Sequence, residues 1–519
     1  MQITRRTALG LLAGLAPAVQ LACSTSKSQS TVAPTPAIEP GPFQPTRKSL
    51  AAFTPPDWFR NAKFGIWAHW GPQSAAEYGD WYARNIYIQG SKQNKYHVAT
   101  YGHPSKFGYK DIIPTWKAEK FDPDYLMGLY KKAGARYFFS MGVHHDNFDL
   151  WNSRYTRWNA VNMGPKIDVV GAWRQAAYRH GLKFGVSDHL WISYKWFSVA
   201  RGHDHTGPLA DVPYDGVDPQ WADLYHDCPT IYSGQVPWND NNIPESWKLQ
   251  WFRRIKDLVD QYQPDVLYSD GPIPFETYGL SILAHLYNRS YRINGSVQSL
   301  YTSKTISDSQ NGVCVLDVER GLVDNIWPTC WQTDTCIGGW HYDKTIARYK
   351  TPKTVVDLLV DIVSRNGNLM LNFPLPNSGM LDDRELAVLD GITQWMAVNS
   401  SAIYDTRPWK IYGAGPAVRT STRPSRFNEN NRRALTAEDV RFTTKGDELY
   451  AFCMDWPADG KAVFKPLALG GPQAVGRIQN VELLGSGPVQ WTQDETALTI
   501  QLPQTKPCDH AIVFKVIGA

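Results

Sequence analysis

The chain has 519 residues, of which 43% are hydrophobic and 20% charged, a composition typical of a globular protein too long for one small core. The formal net charge is only +4 and no cluster of Lys or Arg stands out, which argues against nucleic acid as a partner. The 21 Trp residues are the unusual feature. Because indole rings both stack on sugars and fill large cores, the composition leaves both uses open.

Residues 1–23 are predicted to be an export signal rather than part of the fold. The pair Arg5–Arg6 precedes an apolar stretch and then small residues, and "TRRTALG" is similar to a twin-arginine signal. The apolar stretch is too short to span a bilayer stably. "LAC", which ends at Cys23, is typical of a lipoprotein cleavage site, but the preceding Gln20 is polar where such signals usually carry an aliphatic residue. The sequence therefore indicates a periplasmic or outer-surface protein and leaves a lipid anchor open.

The seven cysteines include no CxxC pair, so a zinc site built from thiolates is not favoured. Export would permit disulfides. Cys330 and Cys336 form one candidate pair, although the pairing itself cannot be deduced from the sequence.

After a Ser/Thr/Pro-rich tether at 24–50, short apolar strands alternate with amphipathic helices as far as residue 405. The predicted strands are "KFGIWAHWG", "RYFFSMGV", "LKFGVSDHL", "DVLYSDG", "VCVLDVERG" and "NLMLNF". The predicted helices are "DPDYLMGLYKKAGA", "DVVGAWRQAAYRHG", "KTVVDLLVDIVSRNG" and "SWKLQWFRRIKDLVDQYQ", the last with Ser246 as its cap. This alternation over residues 51–405 predicts a parallel β/α barrel of the TIM type.

The sequence changes character in residues 406–519. Short alternating segments separated by Gly, Asp and Pro turns predict a C-terminal antiparallel β-sandwich. Within the barrel, residues 194–245 contain no convincing regular element. Because this segment follows a barrel strand, we expect it to cover the face on which strand ends meet.

Polar side chains collect at the carboxyl ends of the predicted strands, where barrel proteins place their chemistry. They are His69, Trp70, His144, His145, Asp146, Asp188, His189, Asp270 and residues 317–319. A metal site is not favoured, because adjacent His144 and His145 on an extended chain would point in opposite directions. Hydrogen bonding to sugar hydroxyls is the preferred interpretation, with buried core histidines as the alternative.

Two carboxylates in such a ring suggest glycoside hydrolysis, which needs one ionised carboxylate and one protonated carboxylic acid. Asp270 follows the apolar strand "VLYS", and Glu319 follows "CVLDV". Each position also has an ordinary explanation: Asp270 as an Asx turn at the strand end, and Glu319 as a surface ion pair with Arg320.

Several longer strings carry a family resemblance. "FGIWAHWG", "YGHPSKFGYKDIIPTWKAEKFDPDYLMGLYKKAGARYFFSMGVHHDNFDLWNS", "NGNLMLNFPLPNSG" and "AIYDTRPW" resemble the α-L-fucosidases of glycoside hydrolase family 29. The resemblance runs from about Trp58 to Trp409, and the combination of strings is highly specific. It implies an exo-acting retaining glycosidase that needs no cofactor and no metal and acts on a fucosylated oligosaccharide or glycan.

The resemblance also implies roles for individual residues. "DVLYSDG" is similar to the family's nucleophile motif, which makes Asp270 the nucleophile, and "VLDVERG" makes Glu319 the acid/base. The histidines that bind fucose hydroxyls in the family correspond to His69, His144 and His145. The family's acidic-Trp-Tyr motif is similar to "GDWY", which adds Asp80 and Trp81, and His189 is a further expected contact.

Three positions depart from the family pattern. Many members carry Glu where Asp80 stands, a Tyr pair where this chain has Ser187–His189, and a "WE" pair where it has Trp331–Gln332. These differences bear on the aglycone and on the exact sugar. A related α-glycosidase, for example an α-L-galactosidase, and a non-catalytic sugar-binding barrel therefore remain as alternatives, and the oligomeric state is left open.

Overall fold

The structure is a computed structural model that describes residues 37–229, 235–236, 238–418 and 426–519. The predicted export signal, Cys23 and the first part of the tether lie outside the described residues. Among the described helices, none is both long and apolar enough to cross a membrane.

Eight parallel strands close into a barrel in chain order, as predicted. Gly65 of the first strand pairs with Tyr137 of the second. Phe64 of the first strand pairs with Leu369 of the eighth, which closes the barrel. Gly65 is required here, because a Cβ atom would lie 2.2 Å from the Tyr137 ring. The strands are β1 (Phe64–Ala68), β2 (Tyr137–Val143), β3 (Lys183–Asp188), β4 (Val266–Ser269), β5 (Leu300–Ser303), β6 (Val315–Asp317), β7 (Trp331–Cys336) and β8 (Gly367–Asn372).

Two barrel strands, β5 and β7, are absent from the predicted set. The sequence of β7, "WQTDTC", is mostly polar although all six residues are buried. Its polar side chains therefore interrupt the apolar run that predicts a buried strand. β5 has only four residues, which is short for recognition by pattern.

The helices surround the barrel and form the loops above it. Their bounds are α1 (Arg47–Leu50), α2 (Asp57–Ala62), α3 (Tyr82–Asn85), α4 (Lys92–Thr100), α5 (Tyr109–Ile112), α6 (Pro123–Lys132), α7 (Val169–Arg179), α8 (Ser193–Trp196), α9 (Ala222–Tyr225), α10 (Glu245–Tyr262), α11 (Thr277–Asn294), α12 (Ile306–Gln310), α13 (Pro352–Val363) and α14 (Asp383–Asn399). Residues 194–245, expected to be irregular, contain the short helix α9 and the end of α8.

The predicted Ser246 cap is wrong. The helix α10 begins one residue earlier, at Glu245, with Pro244 before it and no side-chain cap. Glu245 in the first turn suits the positive end of the helix dipole, which replaces the stabilisation of a cap. The predicted apolar stripe of this helix is confirmed, because Trp247, Trp251, Ile255, Leu258, Val259 and Tyr262 are all buried.

The C-terminal part is an antiparallel sandwich of two sheets, as predicted. The two sheets pack through aromatic side chains, with Phe464 of one sheet 6.3 Å from Phe442 and 5.5 Å from Phe514 of the other, between ring centroids. The strands are β9 (Arg407–Ala414), β10 (Val440–Lys445), β11 (Glu448–Cys453), β12 (Lys461–Phe464), β13 (Asn480–Leu483), β14 (Gly487–Pro488), β15 (Gln490–Gln493), β16 (Leu498–Gln501) and β17 (Ile512–Ile517).

A buried ionic cluster joins the sandwich to the barrel. Asp361 of α13 accepts hydrogen bonds from Arg441 of β10 at 2.5 Å and from Arg432 at 3.1 Å, and it pairs with Arg365. Burial opposes ionisation of Asp361, but the three guanidinium groups hold its pKa below the usual range. The cluster fixes the C-terminal part against the barrel helix.

The six cysteines of the described residues are all free, so the candidate Cys330–Cys336 disulfide is not formed. Cys330 directly precedes β7 and Cys336 ends it. An extended strand separates residues six apart by far more than the Cα distance that a disulfide allows.

Candidate active site

A cavity of about 640 Å³ opens at the carboxyl ends of the barrel strands. The eight side chains for which a catalytic or sugar-binding role is predicted all line it: His69, Asp80, Trp81, His144, His145, His189, Asp270 and Glu319. Of the other polar-ring residues, Trp70, Asp146, Asp188 and Asp317 do not line it. Trp238 of the long segment 194–245 also lines it, so this segment reaches the face at that residue.

Asp270 stands directly after β4 and is held by its backbone. Its N–H donates to the Asp188 carbonyl at 3.0 Å, and its own carbonyl accepts from Trp191 Nε1 at 2.8 Å. The carboxylate faces two imidazoles, with Oδ2 at 3.5 Å from His145 Nε2 and 3.4 Å from His189 Nδ1. Its position and orientation are therefore set before any substrate binds.

Lys304, just after β5, connects the carboxylates of the cavity. Its ammonium nitrogen lies 3.4 Å from Asp270 Oδ1, 2.9 Å from Glu319 Oε2 and 3.2 Å from Asp334 Oδ2. Burial alone would lower the pKa of Lys304, but the surrounding carboxylates raise it well above its usual value. A buried, permanently charged ammonium group therefore lies between the two carboxylates proposed for chemistry.

The two carboxylates have pKa values displaced in opposite directions. Burial disfavours the ionised form of Asp270, but Lys304, His145 and His189 together hold its pKa well below the usual range. Burial raises the pKa of Glu319 to about 7, aided by the negative charge of Asp270 and opposed by Lys304. At mildly acidic pH one group is ionised and the other protonated, which is the pairing that glycoside hydrolysis needs.

Asp317, in the same strand-end motif as Glu319, lies elsewhere. It is fully buried, accepts a hydrogen bond from Gln332 Nε2 at 2.8 Å, and does not line the cavity. Burial, together with nearby Asp334, raises its pKa well above the usual range. Gln332, one of the positions that differ from the family pattern, also accepts a hydrogen bond from Tyr137 Oη at 3.0 Å. This difference therefore concerns hydrogen bonding inside the barrel.

The expectation that His144 and His145 point in opposite directions is wrong. Their ring centroids are 4.4 Å apart, because both residues lie beyond Val143, where β2 ends and alternation no longer applies. His145 Nδ1 donates to the His189 carbonyl at 2.6 Å, and His144 Nδ1 lies 2.8 Å from Gln73 Nε2. The remaining nitrogen of His144 is therefore available to a ligand, whereas Nε2 of His145 faces the Asp270 carboxylate.

Burial, reinforced by neighbouring imidazoles, lowers the pKa of His69 and of His144 well below the usual value. His69 is held by Asn372, whose Oδ1 lies 3.1 Å from its Nδ1. His189 Nε2 is buried and has no hydrogen-bond partner in the part of the chain that the structure describes. An unsatisfied buried nitrogen in a cavity wall is suited to a hydroxyl group of a ligand.

Asp80 and Trp81 form another wall with His341. The Asp80 carboxylate lies 2.6 Å from His341 Nδ1, and the Trp81 ring contacts the His145 ring at 6.0 Å between centroids. Trp81 adopts a left-handed backbone conformation with φ of 57°, which is uncommon for a bulky residue and is typical of functional sites.

Sequence reasoning missed Lys304, Asp334, His341 and Trp340. Lys304 directly follows β5 and Asp334 belongs to β7, the two strands that the pattern did not identify. His341 and Trp340 follow β7 in a segment without periodicity. A correct assignment of β5 would have marked "SK", Ser303–Lys304, as a strand end.

Nitrogen and oxygen atoms of two overlapping groups lie close enough to hold a cation. The groups are His144 with His145 and His189, and Asp80 with His144 and His341, each with ligand atoms within 4.8 Å of one another. The same atoms are donors and acceptors for sugar hydroxyls. The absence of a metal cofactor stays a prediction.

A parallel β/α barrel with two buried carboxylates of opposed pKa at its strand ends defines a glycoside hydrolase. A family model described as α-L-fucosidase matches residues 30–401, and a model of the α-L-fucosidase C-terminal domain matches residues 433–517. The chain belongs to the α-L-fucosidase family, and the non-catalytic alternative is therefore set aside.

Individual relatives agree with this assignment. Plasma α-L-fucosidase of Homo sapiens is 30% identical over 477 residues, which cover 89% of each chain. The structure of Thermotoga maritima α-fucosidase in complex with fucose is 25% identical, with a TM-score of 0.67 over 92% of this chain and 100% of that chain. An aspartate-to-glycine variant of a Thermotoga maritima protein, an α-L-fucosynthase in complex with α-L-Fuc-(1-2)-β-L-Fuc-N3, is 25% identical with a TM-score of 0.68 over the same shares.

Proposed function

We propose that this protein is an exo-acting retaining α-L-fucosidase in which Asp270 is the nucleophile and Glu319 the acid/base. The observation that carries the proposal is the opposed pKa of the two carboxylates on either side of Lys304. Only an ionised carboxylate attacks an anomeric carbon, and only a protonated one releases the leaving oxygen.

The spacing of the carboxylates supports retention. Asp270 Oδ1 and Glu319 Oε2 lie 3.4 and 2.9 Å from the same nitrogen, so they are separated by no more than the sum of those distances. That limit lies below the roughly 6.5–9.5 Å of inverting enzymes and is compatible with the roughly 5–5.5 Å of retaining ones.

In the first step an Asp270 oxygen forms a bond to the anomeric carbon as the bond to the leaving oxygen breaks. The Glu319 proton moves to that oxygen, and the aglycone departs as an alcohol. In the second step Glu319 removes a proton from water, the water oxygen bonds to the anomeric carbon, and the Asp270 carboxylate is released.

Lys304 can stabilise negative charge in both steps. Negative charge leaves Asp270 as it bonds to the sugar and appears on Glu319 as it loses its proton. Because the ammonium group contacts both carboxylates, it remains beside one negative charge throughout and needs no reorganisation. Lys304 therefore stabilises the ionised form of each carboxylate in turn.

The histidines are proposed to bind sugar hydroxyls. Removing a buried hydrogen bond costs about 1–3 kcal/mol, so His145→Ala should lower kcat/KM for an aryl α-L-fucoside roughly 5- to 150-fold. His144→Ala should behave in the same way. His180, which is partly exposed and outside the cavity, provides the control, because His180→Ala should leave kcat/KM unchanged. Unchanged kinetics in both cavity variants would make these residues ordinary core histidines.

The test of the proposed function is a panel of aryl glycosides with purified protein, followed by NMR of the first-formed product. We expect turnover of the α-L-fucoside well above the α-L-galactoside and release of α-L-fucose before mutarotation. Initial release of the β-anomer would contradict retention, and a preference for the galactoside would identify the alternative α-glycosidase.

We also propose that residues 1–23 direct export. The twin-arginine pair Arg5–Arg6 supports this, so replacing both residues by Lys should leave the full-length precursor in the cytoplasm on cell fractionation. If Cys23 carries a lipid, Cys23→Ala should move the exported protein from the membrane to the soluble fraction. Export of the double-Lys variant at the normal level would contradict a twin-arginine signal.

A further inference from the structure

A segment of the C-terminal part reaches the cavity of the barrel. Arg426 and Phe427 lie between β9 and β10 in the chain, yet both line the same cavity as Asp270 and Glu319. The C-terminal part therefore contributes side chains to the wall of the site, in addition to packing against the barrel.

The backbone of this segment is tied to the residues that follow β6. Phe427 N–H donates to the Glu319 carbonyl at 2.9 Å, and Glu429 N–H donates to the Arg320 carbonyl at 3.1 Å. On its other side, Arg426 donates to the Lys304 carbonyl. The segment is thus bonded directly to the backbone of the proposed acid/base and of the lysine beside it.

The Glu429 side chain anchors the segment that contains Arg426 and Phe427. It is buried and accepts hydrogen bonds from Arg320 Nε at 2.6 Å, Thr335 Oγ1 at 2.6 Å and Lys350 Nζ at 3.2 Å. Two cations and a hydroxyl around one buried carboxylate give a rigid anchor. The position of Phe427, two residues earlier, is therefore defined by the barrel.

The Phe427 ring is not needed to fill a core. Its side chain is 57% exposed, so it contributes little to a core. Its φ of 53° places a bulky residue in the left-handed region, which is unfavourable for such a side chain. A strained, exposed aromatic ring at the mouth of a cavity is suited to stacking on a ligand.

The neighbouring residue Glu319 indicates which ligand this is. The acid must lie beside the oxygen of the leaving group, and Phe427 lines the same cavity as Glu319 and is hydrogen-bonded to its backbone carbonyl. We propose that Phe427 is a stacking platform for the first sugar of the leaving group, so that the enzyme prefers fucose linked to a pyranose over fucose linked to a serine or threonine of a polypeptide. This inference rests on the proposed role of Glu319.

The recognition depends on the flat face of the ring. A pyranose presents a patch of C–H groups that packs on an aromatic face, whereas the short side chain of a fucosylated serine places no ring there. Fluoride as a leaving group offers nothing to stack on. A comparison of the three substrates therefore separates a loss of stacking on Phe427 from a loss of catalysis.

The experiment compares Phe427→Ala with wild type on three substrates: an α-L-fucosyl disaccharide, an α-L-fucosylated serine peptide and α-L-fucosyl fluoride. We expect kcat/KM to fall roughly 3- to 10-fold for the disaccharide only. Phe427→Tyr keeps the aromatic face and should retain the wild-type value. Tyr291→Ala, which removes an exposed aromatic ring on α11 outside the cavity, should change none of the three.

A second readout uses the glycosyl-enzyme. With a disaccharide acceptor added, Phe427→Ala should transfer less fucose to the acceptor relative to water than the wild type does. Equal loss on all three substrates, or an unchanged ratio between disaccharide and fluoride, would overturn the inference. Failure of the proposed function would appear in the wild type itself, as an absence of fluoride hydrolysis.

Discussion

Asp270→Gly is expected to lose hydrolysis of α-L-fucosides by a factor on the order of 10⁴–10⁶, the range seen when a catalytic nucleophile is removed. The substitution removes the carboxylate that Lys304, His145 and His189 hold in its ionised form and leaves space beside the anomeric carbon. Added azide can occupy that space and attack once. Because no second displacement follows, the fucosyl azide formed should have the inverted, β configuration.

A measurement of folding and a control variant accompany this experiment. The thermal unfolding of Asp270→Gly should remain cooperative, which separates lost chemistry from lost folding. Asp124→Asn serves as the control and should keep wild-type turnover, since Asp124 is half-exposed, pairs with Arg179 and does not line the cavity. If Asp270→Gly keeps wild-type turnover, or if azide yields the α-anomer, Asp270 is not the nucleophile.

Glu319→Ala is expected to separate substrates by their leaving groups. Substrates with poor leaving groups should lose about 10²–10⁴-fold in kcat/KM, the usual contribution of a general acid. Aryl fucosides with activated leaving groups depart without protonation, so their first step should survive. Azide should then release the sugar from Asp270 with retained, α configuration. Equal and wild-type-like rates on both classes of substrate would show that Glu319 is not the acid/base.

The pH dependence gives an independent check of Glu319. Its acid form is the active one, so the wild-type rate should fall as the pH rises through the raised pKa of about 7. This alkaline limb should vanish in Glu319→Ala. The acid limb reports protonation of Asp270, whose pKa is held well below the usual range, so activity should persist at pH values where an ordinary aspartate is already protonated. An unchanged alkaline limb in Glu319→Ala would assign that limb to another group.

Much of the site could be predicted because barrel geometry converts position along a strand into position in space. Each apolar run that stops at a polar residue marks a strand end, and all strand ends meet on one face. This reasoning predicts four of the site residues from the sequence alone: His69, His144, His189 and Asp270. The pairing of Asp270 with Glu319 needed the family resemblance, because a lone "SDG" or "VER" is an ordinary loop.

The alternation of strands and helices, the sandwich that follows and most of the polar ring could be predicted, because they depend on local periodicity and on where apolar runs end. Which charges meet depends on the folded chain. Lys304 after β5, Asp334 from β7 and Phe427 from the C-terminal part reach the same cavity from positions far apart in the chain. No periodicity links such positions. The opposed pKa values of Asp270 and Glu319 likewise come from burial and from neighbours that folding alone brings together.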